Sequence, residues 1–136
     1  MSYLDVFILP VPKKNLKRYK AFAQLACDVW MDHGALSYVE TVGDDVPAGK
    51  LTSLPLSVKL KKDEAIALGY AVYKSRAHRD QVSKKVFADP RMQFDWKKAP
   101  FDGQRMIFGG FEQILGAVAK AKAATKKAKP RASKRA

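Results

Sequence analysis

The spacing of apolar positions along this chain switches between a period of two and one of about 3.6, and each switch marks an element. Tyr3–Leu9 reads as a strand that stops at Pro10-Val-Pro12. Pro12 then opens a helix, because a proline in a first helical turn forfeits no hydrogen bond. Leu16, Tyr19, Ala23, Ala26, Trp30 and His33 recur at three- and four-residue steps and make one helical face. Ala23 and Ala26 are small enough to let that face approach a sheet. Gly34 ends the helix as a left-handed cap.

Leu36–Val42 alternates as a second strand, with Leu36, Tyr38, Glu40 and Val42 on one side. A turn-rich loop follows at Gly43–Gly49, and Pro55 limits Leu51–Leu60 to an edge strand or an irregular arm. Ala65–Tyr73 is a third strand with Ile66, Leu68, Tyr70 and Val72 on one face and only Ala65, Ala67, Gly69 and Ala71 on the other. Such a bare face takes either a closely docked helix or a ligand. Ser75 caps a second helix that runs to about Ala88, where Asp89-Pro90 stops it, with His78, Val82 and Val86 on its stripe. Arg91–Pro100 is aromatic and without period, a candidate flap. Arg105–Gln113 is the last strand, and Gly109-Gly110 at its middle suggests a bulge or a close backbone approach.

The order βαββαβ predicts an α+β fold: a ferredoxin-like antiparallel sheet with two helices on one face. Its other face also looks apolar, which implies a partner subunit or a ligand. The chain divides into a domain at 1–116 and an Ala/Lys-rich basic tail at 117–136 that is expected to be flexible, although its residues 117–129 favour an exposed helix.

The formal charge of +13 changes meaning once it is located. The tail holds eight of the 26 basic residues and none of the 13 acids, leaving a body of 18 basic against 13 acidic residues. Lys120, Lys122, Lys126, Lys127, Lys129, Arg131, Lys134 and Arg135 are therefore the candidates for salt-dependent, sequence-blind contact with nucleic acid or another polyanion. The alternative is a solvated extension. The single cysteine, Cys27, excludes an internal disulfide framework and a thiolate zinc site, and its mid-helix position makes it inert rather than nucleophilic. No charged leader or long apolar run is present, so a soluble, cytoplasmic protein with no membrane partner is expected.

Phe7–Leu16, Trp30–Leu36, Tyr38-Val39-Glu40, Tyr73–Asp80 and Phe101–Phe111 together resemble the bacterial YbaA-like family, a domain of unknown function. The resemblance runs over residues 1 to about 115 and leaves the tail outside. It implies the dimeric α+β barrel superfamily, in which two ferredoxin-like sheets pack face to face as a homodimer. It implies no activity.

Glycine-rich phosphate loops, HExxH helices and GxSxG elbows are missing, so no cofactor is indicated. Two histidines 45 positions apart, with no thiolate, indicate no metal. The candidate chemistry is scattered. His33 could serve as a base oriented by Glu40, or simply cap a helix end. Glu40 among apolar neighbours could be a usable acid or base, or could sit at a strand end in water or pair with Arg105 or Arg76. Arg76, His78 and Arg79 in the first turn of the second helix could hold an anion, or reduce to a cap and a surface ion pair. Tyr19, Trp30, Tyr38 and Tyr73, with Arg105, would line a cleft between the first helix and the sheet for a small aromatic or carboxylate ligand. Cofactor-free oxygenase or isomerase chemistry is the enzymatic version of that reading, by analogy of fold alone. The competing reading is an interaction protein without an active site, tethered through its tail.

Overall fold

The computed structural model describes residues 2–120. Strand β1 (Tyr3–Pro12) leads through one 3₁₀ turn into helix α1 (Leu16–Asp32). Then come β2 (Ser37–Val42), the one-turn helix α2 (Leu54–Ser57), β3 (Glu64–Tyr73), α3 (Arg76–Ala88) and β4 (Ile107–Glu112). The strands form one antiparallel sheet in the order β2-β3-β1-β4. Both long helices pack on the same side of it. This is the ferredoxin-like α+β arrangement that the alternation predicts.

Local chemistry explains most boundaries. The Ser75 hydroxyl accepts the His78 N–H and starts α3. At the end of α1 the Gly34 N–H donates to the Met31 carbonyl and the Ala35 N–H to the Trp30 carbonyl. Gly34 adopts a φ of 108° there, which only glycine takes without strain.

Two strand boundaries need correction, at the end of β1 and the start of β4, and two open alternatives are decided. β1 does not stop at its prolines, since Pro10 pairs with Ile66 and Pro12 with Glu64. β4 pairs with β1 only as far as Ile8. Beyond that point β1 has a single neighbour, and a residue without an N–H is tolerated in a half-edge strand. The Leu51–Leu60 stretch is the irregular arm and not an edge strand, with one helical turn capped by Ser53 that includes Pro55. β4 begins at Ile107 and carries no bulge, for its register against β1 is unbroken through Gly109 and Gly110. The close approach is real at Gly110, where a Cβ would sit 2.8 Å from Tyr3 Cε2.

Two apolar clusters fill the space between sheet and helices. One gathers Val29, Ala71, Tyr73, Val82, Val86 and Met92; the other gathers Leu9, Val11, Tyr19, Ala23, Ala67 and Phe101. The small face of β3 is divided between them. Ala67 meets α1, while Gly69 lies under the Phe7 ring, where a Cβ would come within 2.6 Å of Phe7 Cε1 and 2.9 Å of the Val39 carbonyl oxygen. Ala71 faces a cavity.

The opposite face carries the cross-strand pairs Leu4–Val72, Val6–Tyr70 and Ile8–Leu68, none of them fully buried. Phe111 extends it and is 60% exposed. At its Pro12 end that face is covered: Pro10 and Ile66 are buried, and the turn at Gly43–Val46 packs against Ile66, whereas from Leu4 to Ile8 the face is only half-buried.

Candidate functional site

The cavity has a volume of about 830 Å³ and lies between α1, α3 and the sheet, with Met92, Trp96 and Phe101 of the connection to β4 forming part of its wall. α1 contributes Tyr19, Phe22, Ala26 and Trp30, at steps of three and four residues, so one flank of the helix faces it. β1 contributes Phe7, and β2 contributes Tyr38 and Glu40, two residues apart and hence on one face of the strand. The rings support one another: Trp30 and Tyr38 are 5.6 Å apart between centroids, Phe22 and Phe101 5.4 Å, and Phe94 and Trp96 4.4 Å. The aromatic segment at Arg91–Pro100 thus packs over the cavity.

The polar centre is Glu40. The Tyr19 hydroxyl donates to its Oε1 at 2.6 Å and the Tyr38 hydroxyl to its Oε2 at 2.7 Å. Burial pushes the Glu40 carboxyl above its ordinary value, and the two phenol bonds pull in the opposite direction. Burial first, then the Glu40 charge, raises both phenols well beyond the usual tyrosine range, so both hydroxyls remain protonated donors. The pair therefore gives the carboxylate one neutral donor per oxygen and leaves lone pairs directed elsewhere.

A second polar group lies on the α3 side. Arg79 donates to Asp5 at 2.6 Å and to Asp80 at 2.8 Å, and all three residues line the cavity. Its guanidinium sits 5.1 Å from the Tyr3 ring centroid.

The sequence candidates divide. Tyr19, Trp30, Tyr38 and Glu40 come together in the wall. Tyr73 does not line the cavity; it is fully buried behind Trp30, and its hydroxyl accepts the Trp30 Nε1–H at 3.0 Å. Arg105 belongs to another site. It bonds Glu64 through both terminal nitrogens, at 2.8 and 2.6 Å, and Asp102 through Nε at 2.8 Å. His33 and Glu40 form no pair, because His33 Nε2 meets Asp89 at 2.8 Å, where Arg91 also bonds. Neither Arg105 nor Arg76 pairs with Glu40; Arg76 is exposed. His78 Nδ1 accepts the Lys74 N–H, and the His78 N–H is taken by Ser75. Lys120 is exposed, and Lys122, Lys126, Lys127, Lys129, Arg131, Lys134 and Arg135 lie outside the described residues. Cys27 is pushed above the usual thiol range by burial, then by Asp28 and Glu40, which disfavours the thiolate. Among the described residues no group of three or more His, Cys, Asp or Glu side chains gathers, and no helix is long and apolar enough to cross a membrane.

Phe22, Asp5 and Phe101 escaped sequence reasoning. Phe22 was visible in principle, since it lies three residues after Tyr19 and four before Ala26.

A family model described as a protein of unknown function (DUF1428) matches residues 2–103. This chain belongs to the DUF1428 family. The uncharacterised protein YbaA of Escherichia coli K12 is 38% identical over 93 residues, spanning 68% of this chain and 80% of the relative. YbaA of Shigella flexneri matches to the same extent. Among solved structures, the de novo designed protein Foldit4 aligns with a TM-score of 0.44 at 5% identity, over 83% of this chain and 99% of that one. The DUF1428 match contains Tyr19, Tyr38 and Glu40 and most of the cavity wall; Met106, Phe108 and Gly109 fall beyond it.

Proposed function

We propose that this DUF1428 protein binds a small, flat, largely apolar ligand in the cavity between α1, α3 and the sheet, and that two copies associate through the half-buried apolar strip on the other face of the sheet. One observation carries the first part: aromatic side chains from α1, β1, β2 and the connection to β4 converge on a single carboxylate. The volume falls within the roughly 300–1,000 Å³ of ordinary ligand pockets, and mostly apolar walls with few convergent polar groups are their usual chemistry. Of the two ligand types expected from sequence, an aromatic frame fits these walls. Arg79, already engaged by two carboxylates, offers little to an acid.

The test uses the chain's own reporters. Both of its tryptophans, Trp30 and Trp96, stand in the cavity wall. Titration with a set of aromatic fragments is expected to quench their fluorescence saturably and to raise the melting temperature. Unchanged fluorescence and melting across the set would remove the ligand reading.

The second part is supported by the half-buried apolar pairs on β1 and β3 and the exposed Phe111 beside them, an apolar surface of the kind that marks interaction sites. Light scattering is expected to give twice the 15.1 kDa chain mass, and Val6→Asp to return the particle to a monomer. A wild-type protein that is monomeric at high micromolar concentration would refute the pairing.

A further inference from the structure

We infer that the cavity selects a cationic ligand: a protonated amine carried on an aromatic or similarly flat apolar frame, with the ammonium group placed on Glu40. The inference rests on the ligand-binding reading above and narrows it.

Glu40 differs from the other carboxylates that take part in part-buried side-chain hydrogen bonds. Asp5 is met by Arg79, Glu64 and Asp102 by Arg105, and Asp89 by Arg91. Among the described residues no lysine, arginine or histidine nitrogen comes within 4.0 Å of the Glu40 carboxylate; its bonds are to two neutral phenols. A half-buried carboxylate with no counter-charge is costly to ionise, and a bound cation would offset that cost. Here it opens on a cavity large enough to admit the group that would.

The rest of the wall suits the same guest. The face of an aromatic ring carries negative potential, and a cation held against several such faces gains on each, most of all where water is excluded. Tyr38 bonds the carboxylate, and Trp30 and Phe7 lie next to Tyr38 at 5.6 and 6.3 Å between centroids. The charged residues lining the cavity are Asp5, Glu40 and Asp80 against Arg79 and Lys84. Asp5 and Asp80 are both satisfied by Arg79, so Glu40 is the charge left without a cation on it. A chain of formal charge +13 thus encloses one locally acidic, aromatic space. The long-range field of the protein opposes an approaching cation, which makes a preference for one a stringent result; at physiological salt that field is screened beyond about 8 Å.

The experiment varies charge on one frame. The full-length protein is titrated with 2-phenylethylamine, 2-phenylethanol and 3-phenylpropanoate at neutral pH and physiological salt, read by tryptophan fluorescence. The amine is expected to bind about tenfold or more tighter than the alcohol, and the acid weakest. In Glu40→Gln the ratio of amine to alcohol affinity is expected to fall close to one. The wild-type series decides the matter even if that variant folds poorly. Equal or weaker binding of the amine, with the alcohol or the acid still bound, overturns the cationic preference and leaves the cavity a binding site. Preference for the amine persisting in folded Glu40→Gln overturns the assignment to Glu40. No binding by any of the three overturns this inference and counts against the ligand-binding reading with it.

Discussion

Replacing Tyr73 with alanine is expected to destabilise the protein by about 3–5 kcal/mol, the usual cost of truncating a buried aromatic side chain. Tyr73 is fully buried and sits in the cluster of Val29, Ala71, Val82, Val86 and Met92, which joins α1 and α3 to β3. Removing the ring opens a void that three elements would have to close together, and close-packed elements relax only in part. It also frees the Trp30 indole N–H, whose partner is the Tyr73 hydroxyl. Tyr73→Phe separates the two effects: it keeps the ring, and about 1 kcal/mol is expected for the hydrogen bond alone. Urea unfolding followed by circular dichroism gives both numbers. Since whole domains are stable by only about 5–15 kcal/mol, the alanine variant should be partly unfolded near physiological temperature. A loss below 1 kcal/mol for Tyr73→Ala would mean that this cluster does not hold the helices to the sheet.

The second large effect is expected at Arg105. Its guanidinium grips both oxygens of Glu64, bonds Asp102, and donates to the Lys59 carbonyl at 2.9 Å. One side chain thereby ties the start of β3 to the turn that enters β4. The Glu64 side chain is 5% exposed, so Arg105→Met leaves a buried carboxylate without its cation. A cost of about 2 kcal/mol is expected, at the low side for a broken buried pair because the guanidinium is partly solvated. The pH dependence is distinctive. Hydrogen bonding to Arg105, the largest influence, holds Glu64 below its ordinary value of 4.5, and Asp102 is lowered by the same residue. The folded carboxyls bind protons more weakly than the unfolded ones. Their stabilisation is therefore complete above the ordinary carboxylate range and is lost as pH falls through the lower folded values. The wild-type protein should lose stability on acidification more steeply than Arg105→Met, with the two unfolding midpoints converging at low pH. Parallel midpoints from neutral to acid would rule out the clasp.

The bonds of Arg105 also illustrate why part of the site was unreadable in the sequence. Arg105 was a plausible cavity residue on strand position, yet its partners Glu64 and Lys59 lie more than 40 residues away, and only the fold decides that they meet. The same holds for His33, which Asp89 reaches from the far end of α3. Glu40 was legible as a carboxylate on an inward strand face, because alternation alone assigns faces. Its two phenols came from different sources: Tyr38 is on the same face of the same strand, and Tyr19 arrives only when α1 settles on the sheet.

Element order, the inward and outward faces of β3 and the capping at Gly34 and Ser75 were determined by the sequence alone, because they rest on interactions a few residues long. The passage of β1 through Pro10 and Pro12 depended on where β4 stops pairing, which no local pattern records. The cavity likewise belongs to the tertiary structure. Small residues on β3 made room, but Phe7, α1 and the aromatic connection to β4 decided how much of that room was filled, through side-chain volumes brought together from distant parts of the chain.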